Sequence, residues 1–135
     1  MVESMRATIL LAAALAISPT LTAHHSFASV FDEKATVHVS GTITKVEWAN
    51  PHAWFYVDVK DAAGKVVNWA FETSPPNMLV RNGWKKDTLK QGDAVTVDGF
   101  RSKDGSSMAS ARTITLPDGK KVFSGQADAS GRPVQ

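Results

Sequence analysis

The clearest pattern in the chain is a regular alternation of apolar and polar residues. In residues 36–43 every second position is apolar or glycine, which is typical of a strand with one buried face. The next apolar positions are Val46 and Trp48, so the alternation changes parity. Because side chains on a strand alternate strictly between two faces, this change requires an extra residue. The sequence therefore predicts a β-bulge or a sharp bend at Thr44 and Lys45.

Four later segments also show strand patterns, and turns rich in glycine, proline, asparagine and aspartate separate them. Between the third and fourth strands, Ser74 is a suitable N-cap, Pro75 suits the first helical position and Gly83 is placed to end a helix. The sequence therefore predicts a helix of about two turns from Pro75 to Asn82. The later strands are predicted within residues 52–60, 66–72, 89–100 and 108–116, and a short terminal hairpin within residues 117–123.

The predicted order of elements is a long bent strand, two strands, a helix and two more strands. This is the order of an OB-fold, a five-stranded Greek-key barrel with its helix between strands 3 and 4. A bulge in the first strand fits this fold, because that strand must serve both sides of the barrel. The sequence therefore predicts an all-β domain with one short helix and an OB-fold-like barrel. An open antiparallel sheet covered by the helix is the alternative.

Residues 1–23 have the composition of an export signal. Arg6 precedes a short apolar run, residues 7–17, and the segment ends in the small residue Ala23. A basic start, an apolar core and a small residue before the cleavage site are typical of a secretory signal peptide. The run is shorter than the roughly 20 residues needed to cross a bilayer. We therefore expect cleavage after Ala23, a periplasmic protein and no stable membrane insertion, with an uncleaved membrane anchor as the alternative.

The sequence divides into a signal peptide (1–23), an N-terminal arm (24–34), a β-barrel domain (35–123) and a polar, disordered tail (124–135). The chain has 135 residues, of which 43% are hydrophobic and 21% are charged, so a single globular domain is expected. The net charge of +2 is too small to predict nucleic-acid binding. The absence of cysteine excludes disulfides, thiolate metal sites and cysteine nucleophiles.

Several short motifs resemble those of a known family. They are HHSF directly after the signal peptide, then ITKVEWANPHAWFYVDV, VVNWAFE, PNMLVRNGW, LKQGDAVTVDGF and ASARTITLPDGK. In this combination the chain, from His24 to Phe123, resembles a family of small exported Gram-negative bacterial proteins whose function is unknown. The resemblance implies a periplasmic location. It implies no activity, so a functional hypothesis rests on the chemistry of the residues.

The two adjacent histidines after the signal peptide offer metal-binding chemistry. Cleavage after Ala23 gives His24 a free α-amine, and amines and imidazoles are often neutral near pH 7. The amine nitrogen and Nδ1 of His24 can chelate one metal ion, and a further imidazole would give three nitrogen ligands. Cu²⁺ binds such ligands most tightly among the divalent first-row metals. We therefore predict a copper-like metal bound by His24 together with His52, helped by His25.

His52 is the best candidate for the third ligand. It follows the ANP turn at the rim of the predicted barrel, where OB-folds commonly bind ligands. His25 is less suitable because adjacent side chains usually diverge, and His38 is expected to be an ordinary exposed histidine on the first strand. The ten residues after His24 can span roughly 35 Å, so the arm is long enough to reach His52. The alternative is that all these histidines are solvated or satisfy a turn.

Three aromatic residues form a second candidate site. Trp54 and Tyr56 lie on the face of the second strand opposite to Phe55 and Val57, and Trp48 precedes the turn that leads to them. Exposed aromatic side chains on this strand of an OB-fold can stack on a ligand. The alternative is that the helix, the arm or the tail covers them.

These residues support three hypotheses. The first is an exported binding protein for a copper-like metal, acting in metal handling or delivery. The second is a non-catalytic OB-type module that binds a protein partner or a small organic ligand on the Trp54 and Tyr56 face. The third is a small oxidative enzyme that uses the same metal, for which the sequence offers no dedicated proton donor. No paired carboxylates, nucleophile elbow or phosphate-binding glycine loop predicts other catalysis.

Overall fold

The computed structural model describes residues 27–124 of the chain. The predicted signal peptide, His24, His25 and the tail from residue 125 onward lie outside these residues. The described helices and strands are, in chain order, α1 (Phe27–Val30), β1 (Phe31–Glu47), β2 (Trp54–Lys60), β3 (Val66–Glu72), α2 (Pro76–Arg81), β4 (Ala94–Ser102), β5 (Met108–Thr115) and β6 (Lys121–Phe123).

The six strands form one mostly antiparallel sheet in the order β3-β2-β1-β4-β5-β6. In β1, residues 36–42 pair with β4 and residues 42–47 pair with β2. β3 and β5 are also paired, in parallel, through residues 70–72 and 108–110. The prediction of an all-β domain with a helix between the third and fourth strands is confirmed. α1 is a second short helix beyond the one predicted, and β6 belongs to the predicted terminal hairpin.

The predicted bulge lies where the apolar pattern changes parity. Ile43 pairs with Val57 and Lys45 pairs with Tyr56, so Thr44 is the extra residue of β1. The bulge brings the apolar residues on both sides of it towards the core. The prediction of a bulge at Thr44 and Lys45 is therefore confirmed.

Two glycines allow neighbouring strands to approach closely. A Cβ atom at Gly41 would lie 2.1 Å from the backbone oxygen of Asp58, and one at Gly99 would lie 2.2 Å from that of Ser110. Both distances are far shorter than a van der Waals contact, so β1 and β4 require glycine at these positions. Gly41 lies directly before the residue at which β1 changes its partner from β4 to β2.

The core lies between the inner faces of the strands. The predicted inner face of β2 is confirmed, because Ala53, Phe55, Val57 and Val59 are all buried. The rings of Phe55 and Phe71 stack with their centroids 5.1 Å apart. Fully burying a phenylalanine side chain contributes about 1.5–3 kcal/mol relative to leaving it exposed, so this pair is a main source of stability.

The segment after β3 covers part of this core. α2 contributes Leu79, and the loop that follows contributes Trp84 and Leu89, all of which are buried. Nε1 of Trp84 donates a hydrogen bond to the backbone oxygen of Phe123 at 2.8 Å, which satisfies the polar group of the indole. Across residues 27–124, no helix combines the length and the apolar character needed to cross a membrane.

α2 is slightly shorter than predicted, and its N-cap differs. Pro75 is the N-cap and no side chain caps the helix, so the prediction that Ser74 caps it is wrong. The backbone oxygen of Ser74 accepts a hydrogen bond from the backbone nitrogen of Ala53 at 3.3 Å, so Ser74 still extends the contact between β2 and β3. Its hydroxyl is buried and has no hydrogen-bond partner within the described chain. Tertiary contact therefore decides where this helix begins.

The start of the described chain is attached to β4. β1 begins at Phe31, four residues before the alternating pattern begins at Ala35. The ring centroid of Phe27 lies 5.4 Å from that of Phe31 and 5.7 Å from that of Phe100. Lys103 donates hydrogen bonds from its backbone and its side chain to carbonyl groups of α1. Residues 27–31 of the arm therefore pack on the sheet at the end of β4.

Candidate functional site

His52 lies in the connection between β1 and β2, beside the end of β3. The neighbouring residue, Ala53, donates a backbone hydrogen bond to Ser74 and accepts one from Thr73, which holds this connection against the end of β3. Nδ1 of His52 lies 2.8 Å from Oε1 of Glu72 and 2.9 Å from the backbone oxygen of Thr73. The backbone contacts fix the position of the imidazole, and the two acceptors fix its orientation.

The two contacts determine which ring nitrogen is available. Carboxylate and carbonyl oxygens accept hydrogen bonds, so Nδ1 carries the hydrogen and a neutral imidazole presents its lone pair on Nε2. The side chain of His52 is 36% exposed, whereas that of Glu72 is 18% exposed. Histidines that bind metals commonly donate their other N–H to a carboxylate or a backbone carbonyl. The arrangement therefore suits His52 as a metal ligand through Nε2.

Four residues in register form a row across the outer face of the sheet. The row runs from β2 through β3 and β5 to β4, and its members are Trp54, Glu72, Ser110 and Phe100. The residues on both sides of Trp54 and Glu72 in the chain are buried, so these two members of the row lie on the outer side. The ring of Phe27 packs against the last member. Neighbouring strands are about 4.8 Å apart, so roughly 10 Å separates the backbones of Glu72 and Phe100.

This row links the arm to His52. His24 precedes Phe27 by three residues, and three extended residues span about 10 Å. That length is similar to the separation between Glu72, which contacts His52, and Phe100, which contacts Phe27. The positions of His24 and His25 lie outside the described residues. Within residues 27–124, no three His, Asp or Glu side chains come together as a metal-binding group.

His38 belongs to a different part of the sheet. It lies in the half of β1 that pairs with β4. Its side chain is 72% exposed, and its Nδ1 lies 2.6 Å from Oδ1 of Asp98. The prediction of an exposed histidine at this position is therefore confirmed, and His38 offers a comparison histidine for experiments on His52.

Trp54 and Tyr56 both lie half-buried on the outer face of β2. The hydroxyl of Tyr56 donates a hydrogen bond to Oε2 of Glu47 at 3.0 Å. Oε1 of the same carboxylate accepts a hydrogen bond from Nζ of Lys45, which lies 5.5 Å from the centroid of the Tyr56 ring. The polar groups next to Tyr56 are therefore partly satisfied by one another.

The same contacts shift the pKa values of this outer group. The hydrogen bond from Lys45 lowers the pKa of Glu47, and the hydrogen bond from Tyr56 lowers it further. Burial raises the pKa of the Tyr56 hydroxyl, and the hydrogen bond to Glu47 adds to this rise. At neutral pH the group therefore contains an ionised Glu47, a charged Lys45 and a neutral Tyr56.

Trp48 directly follows the end of β1. It is half-buried and packs against the core cluster. Trp48, Trp54 and Trp84 line one small cavity of about 10 Å³, which is close to the space of a single water. Of the three aromatic residues predicted to form a ligand surface, Trp54 therefore lies beside Tyr56 on β2 and shares the small cavity with Trp48.

Sequence reasoning missed the role of Glu72. A signal was present in the turn at residues 61–65, because a tight hairpin fixes the register of β2 and β3. This register pairs Trp54 with Glu72, and it brings His52 to the same carboxylate. Counting outward from the hairpin would therefore have found the residue that orients His52.

The fold and the site together define a small, mostly antiparallel β protein with a carboxylate-oriented histidine at the end of two strands. The model of the Family of unknown function (DUF6152) matches residues 12–111, and the chain belongs to this family. This confirms the resemblance to a family of unknown function. No curated protein matches the chain.

Proposed function

We propose that this protein is exported to the periplasm and binds a copper-like metal ion there, for metal handling or delivery. The proposed ligands are the α-amine and the imidazole of His24 and the Nε2 nitrogen of His52, with His25 as a further candidate. The observation that carries the proposal is the pair of acceptors at Nδ1 of His52, because they leave Nε2 for a metal.

The scaffold in this proposal is a closed five-stranded barrel of the OB type. Closure is supported by the pairings β1–β2, β2–β3, β3–β5, β5–β4 and β4–β1, which give each of the five strands two partners. The position of α2 between β3 and β4 also supports this assignment. A scaffold paired in this way keeps His52 in one geometry, which a metal site requires.

The position of the arm supports the choice of His24 as the partner of His52. Phe27 packs on Phe100, at the other end of the outer row from Trp54 and Glu72. His24, which would supply the amine ligand, is only three residues before Phe27, the side chain that contacts this row. Three nitrogen ligands favour Cu²⁺ over the other divalent first-row metals.

Two measurements test the proposal. Mass spectrometry of the protein recovered from the periplasm should give a mature chain that begins at His24. Titration of this chain with Cu²⁺, followed by tryptophan fluorescence, should show one bound ion per chain, because Trp54 lies next to Glu72 in the outer row.

Three variants identify the ligands. A glycine inserted before His24 displaces the amine from the chelate, and His52→Ala removes the imidazole, so each change should weaken Cu²⁺ binding at least about tenfold. His38→Ala is the matched control and should leave the affinity unchanged. A mature chain that begins at Ser26 or later, or an affinity that survives both of the first two changes, would contradict the proposal.

A further inference from the structure

We propose that Glu72 is a positioning residue for the metal site, because it holds His52 in the tautomer and the orientation that present Nε2 to the metal. This inference rests on the proposed metal binding. It goes further in assigning a role to a carboxylate that does not itself contact the metal. The geometry is direct, since Oε1 of Glu72 lies 2.8 Å from Nδ1 of His52.

The backbone around Glu72 makes it suited to this role. Glu72 is the last residue of β3, and it pairs with Trp54 on one side and with Ser110 on the other. Its side chain is only 18% exposed, and Ser110 beside it in the row is 1% exposed. A largely buried side chain on a backbone that is paired on both sides has little freedom to move, so its carboxylate can fix the orientation of the ring.

The charge of Glu72 matters as well as its hydrogen bond. The backbone oxygen of Thr73 is also within hydrogen-bond distance of Nδ1, so the carboxylate is not the sole acceptor. A carboxylate nevertheless makes the imidazole a stronger ligand than a neutral acceptor does, because its charge stabilises the N–H on Nδ1. In addition, a glutamine can offer an N–H to Nδ1, which would stabilise the tautomer that carries its hydrogen on Nε2.

The test compares Cu²⁺ affinity in the mature chain with and without the carboxylate. We expect Glu72→Gln to weaken binding about 10–100-fold, in the range seen when the partner of a metal-binding histidine is removed. Glu72→Asp keeps the charge and should retain part of the affinity. Glu47→Gln removes a charge from a carboxylate on the same outer face and should change the affinity less than about twofold.

Two further measurements separate positioning from a general loss of structure. In a His52→Ala background, Glu72→Gln should have no additional effect, because the residue that it orients is absent. Nitrogen chemical shifts of His52 in the metal-free protein should report the hydrogen on Nδ1 in the wild type and a changed tautomer population in Glu72→Gln. The second measurement requires no bound metal, and it also confirms that each variant is folded.

The possible failures of the two proposals are distinct. A wild-type chain that begins at His24 and does not bind Cu²⁺ overturns both. A wild type that binds Cu²⁺ while Glu72→Gln binds equally well, with an unchanged His52 tautomer, overturns only the role of Glu72. An equal loss of affinity in the presence and absence of His52 also overturns it, because the carboxylate would then act independently of the histidine.

Discussion

The two faces of β2 differ in what holds their side chains. On the inner face, Phe55 and Val57 are at most 1% exposed and belong to the hydrophobic core cluster. On the outer face, Trp54 and Tyr56 are half-buried, and Tyr56 makes a polar contact of fixed geometry with Glu47. Packing in the core is non-directional, whereas hydrogen bonds and ion pairs need particular partners.

Because of this difference, substitutions on the two faces should affect different properties of the protein. Substitutions on the inner face remove buried area and leave a cavity, so they should act on the free energy of unfolding. Substitutions on the outer face change exposed or half-exposed polar contacts, which contribute little to that free energy. Changes to the polar contacts of the outer face should therefore cost less free energy of unfolding than changes to the inner face.

The strongest test of the inner face is Phe71→Ala. Phe71 is fully buried and its ring stacks on Phe55 and lies beside Trp69, with centroid distances of 5.1 Å and 6.0 Å. Its truncation should lower the free energy of unfolding by about 3–5 kcal/mol, measured by urea denaturation. Phe123→Ala, at a residue that is 48% exposed, is the control and should cost far less. Equal losses in the two variants would contradict the contrast between the faces.

A second test concerns the close approach of β1 and β2. Gly41→Ala places a Cβ atom 2.1 Å from the backbone oxygen of Asp58, so the strands must separate. We expect a loss of about 1–3 kcal/mol, as for other overpacking substitutions. Gly64→Ala is the comparison, because that glycine has φ of 81° but open space around it, so only the dihedral cost of about 1–2 kcal/mol applies.

A β-branched residue at Gly41 gives a sharper test of the same close approach. Gly41→Val should be more damaging than Gly41→Ala, because a Cβ atom there already lies 2.1 Å from the backbone oxygen of Asp58 and 2.8 Å from Cγ1 of Val57, and the two methyl groups need additional space. An alanine at Gly41 that leaves the urea midpoint unchanged would show that the approach of the strands is not a constraint.

A smaller effect is expected on the outer face. Tyr56→Phe removes the hydroxyl that donates to Glu47 and keeps the ring. Because this contact is partly exposed, we expect a loss below about 1 kcal/mol. A double-mutant cycle with Glu47→Gln isolates the contact, and Cu²⁺ affinity should be unchanged in every member of the cycle. If Tyr56→Phe lost as much free energy of unfolding as Phe71→Ala, the proposed difference between the two faces would be contradicted.

The sequence predicts the inner face well because its information is local and periodic. The parity change in β1 is visible as apolar positions at odd and then even numbers, and it places the bulge at Thr44. The buried face of β2 and the exact extent of β3 follow from the same alternation. These features require only that apolar residues be buried.

The outer contacts could not be predicted in the same way because they join residues that are distant in sequence. His52 and Glu72 are 20 positions apart, and only the register of the β2–β3 hairpin brings them together. The prediction that Ser74 is the N-cap of α2 was wrong for a similar reason. The contact of Ser74 with Ala53 overrides the local preference of serine for a cap. The pairing of β3 with β5 likewise has no local signal.

The smallest expected effect is a pH dependence in the turn between β4 and β5. Hydrogen bonds from the hydroxyl of Ser102, and then from the hydroxyl and backbone of Ser106, lower the pKa of Asp104 from 3.8 to about 2. Because the pKa is lower in the folded state, the ionised carboxylate stabilises the fold above about pH 4, and this contribution is lost as the pH falls through about 2. The difference in urea midpoint between wild type and Asp104→Asn should therefore shrink as the pH falls from about 5 to about 2. A difference that stays constant over this range would show that the turn does not stabilise the ionised form of Asp104. Asp104 is exposed, so its substitution should lower the free energy of unfolding less than any substitution on the inner face of β2.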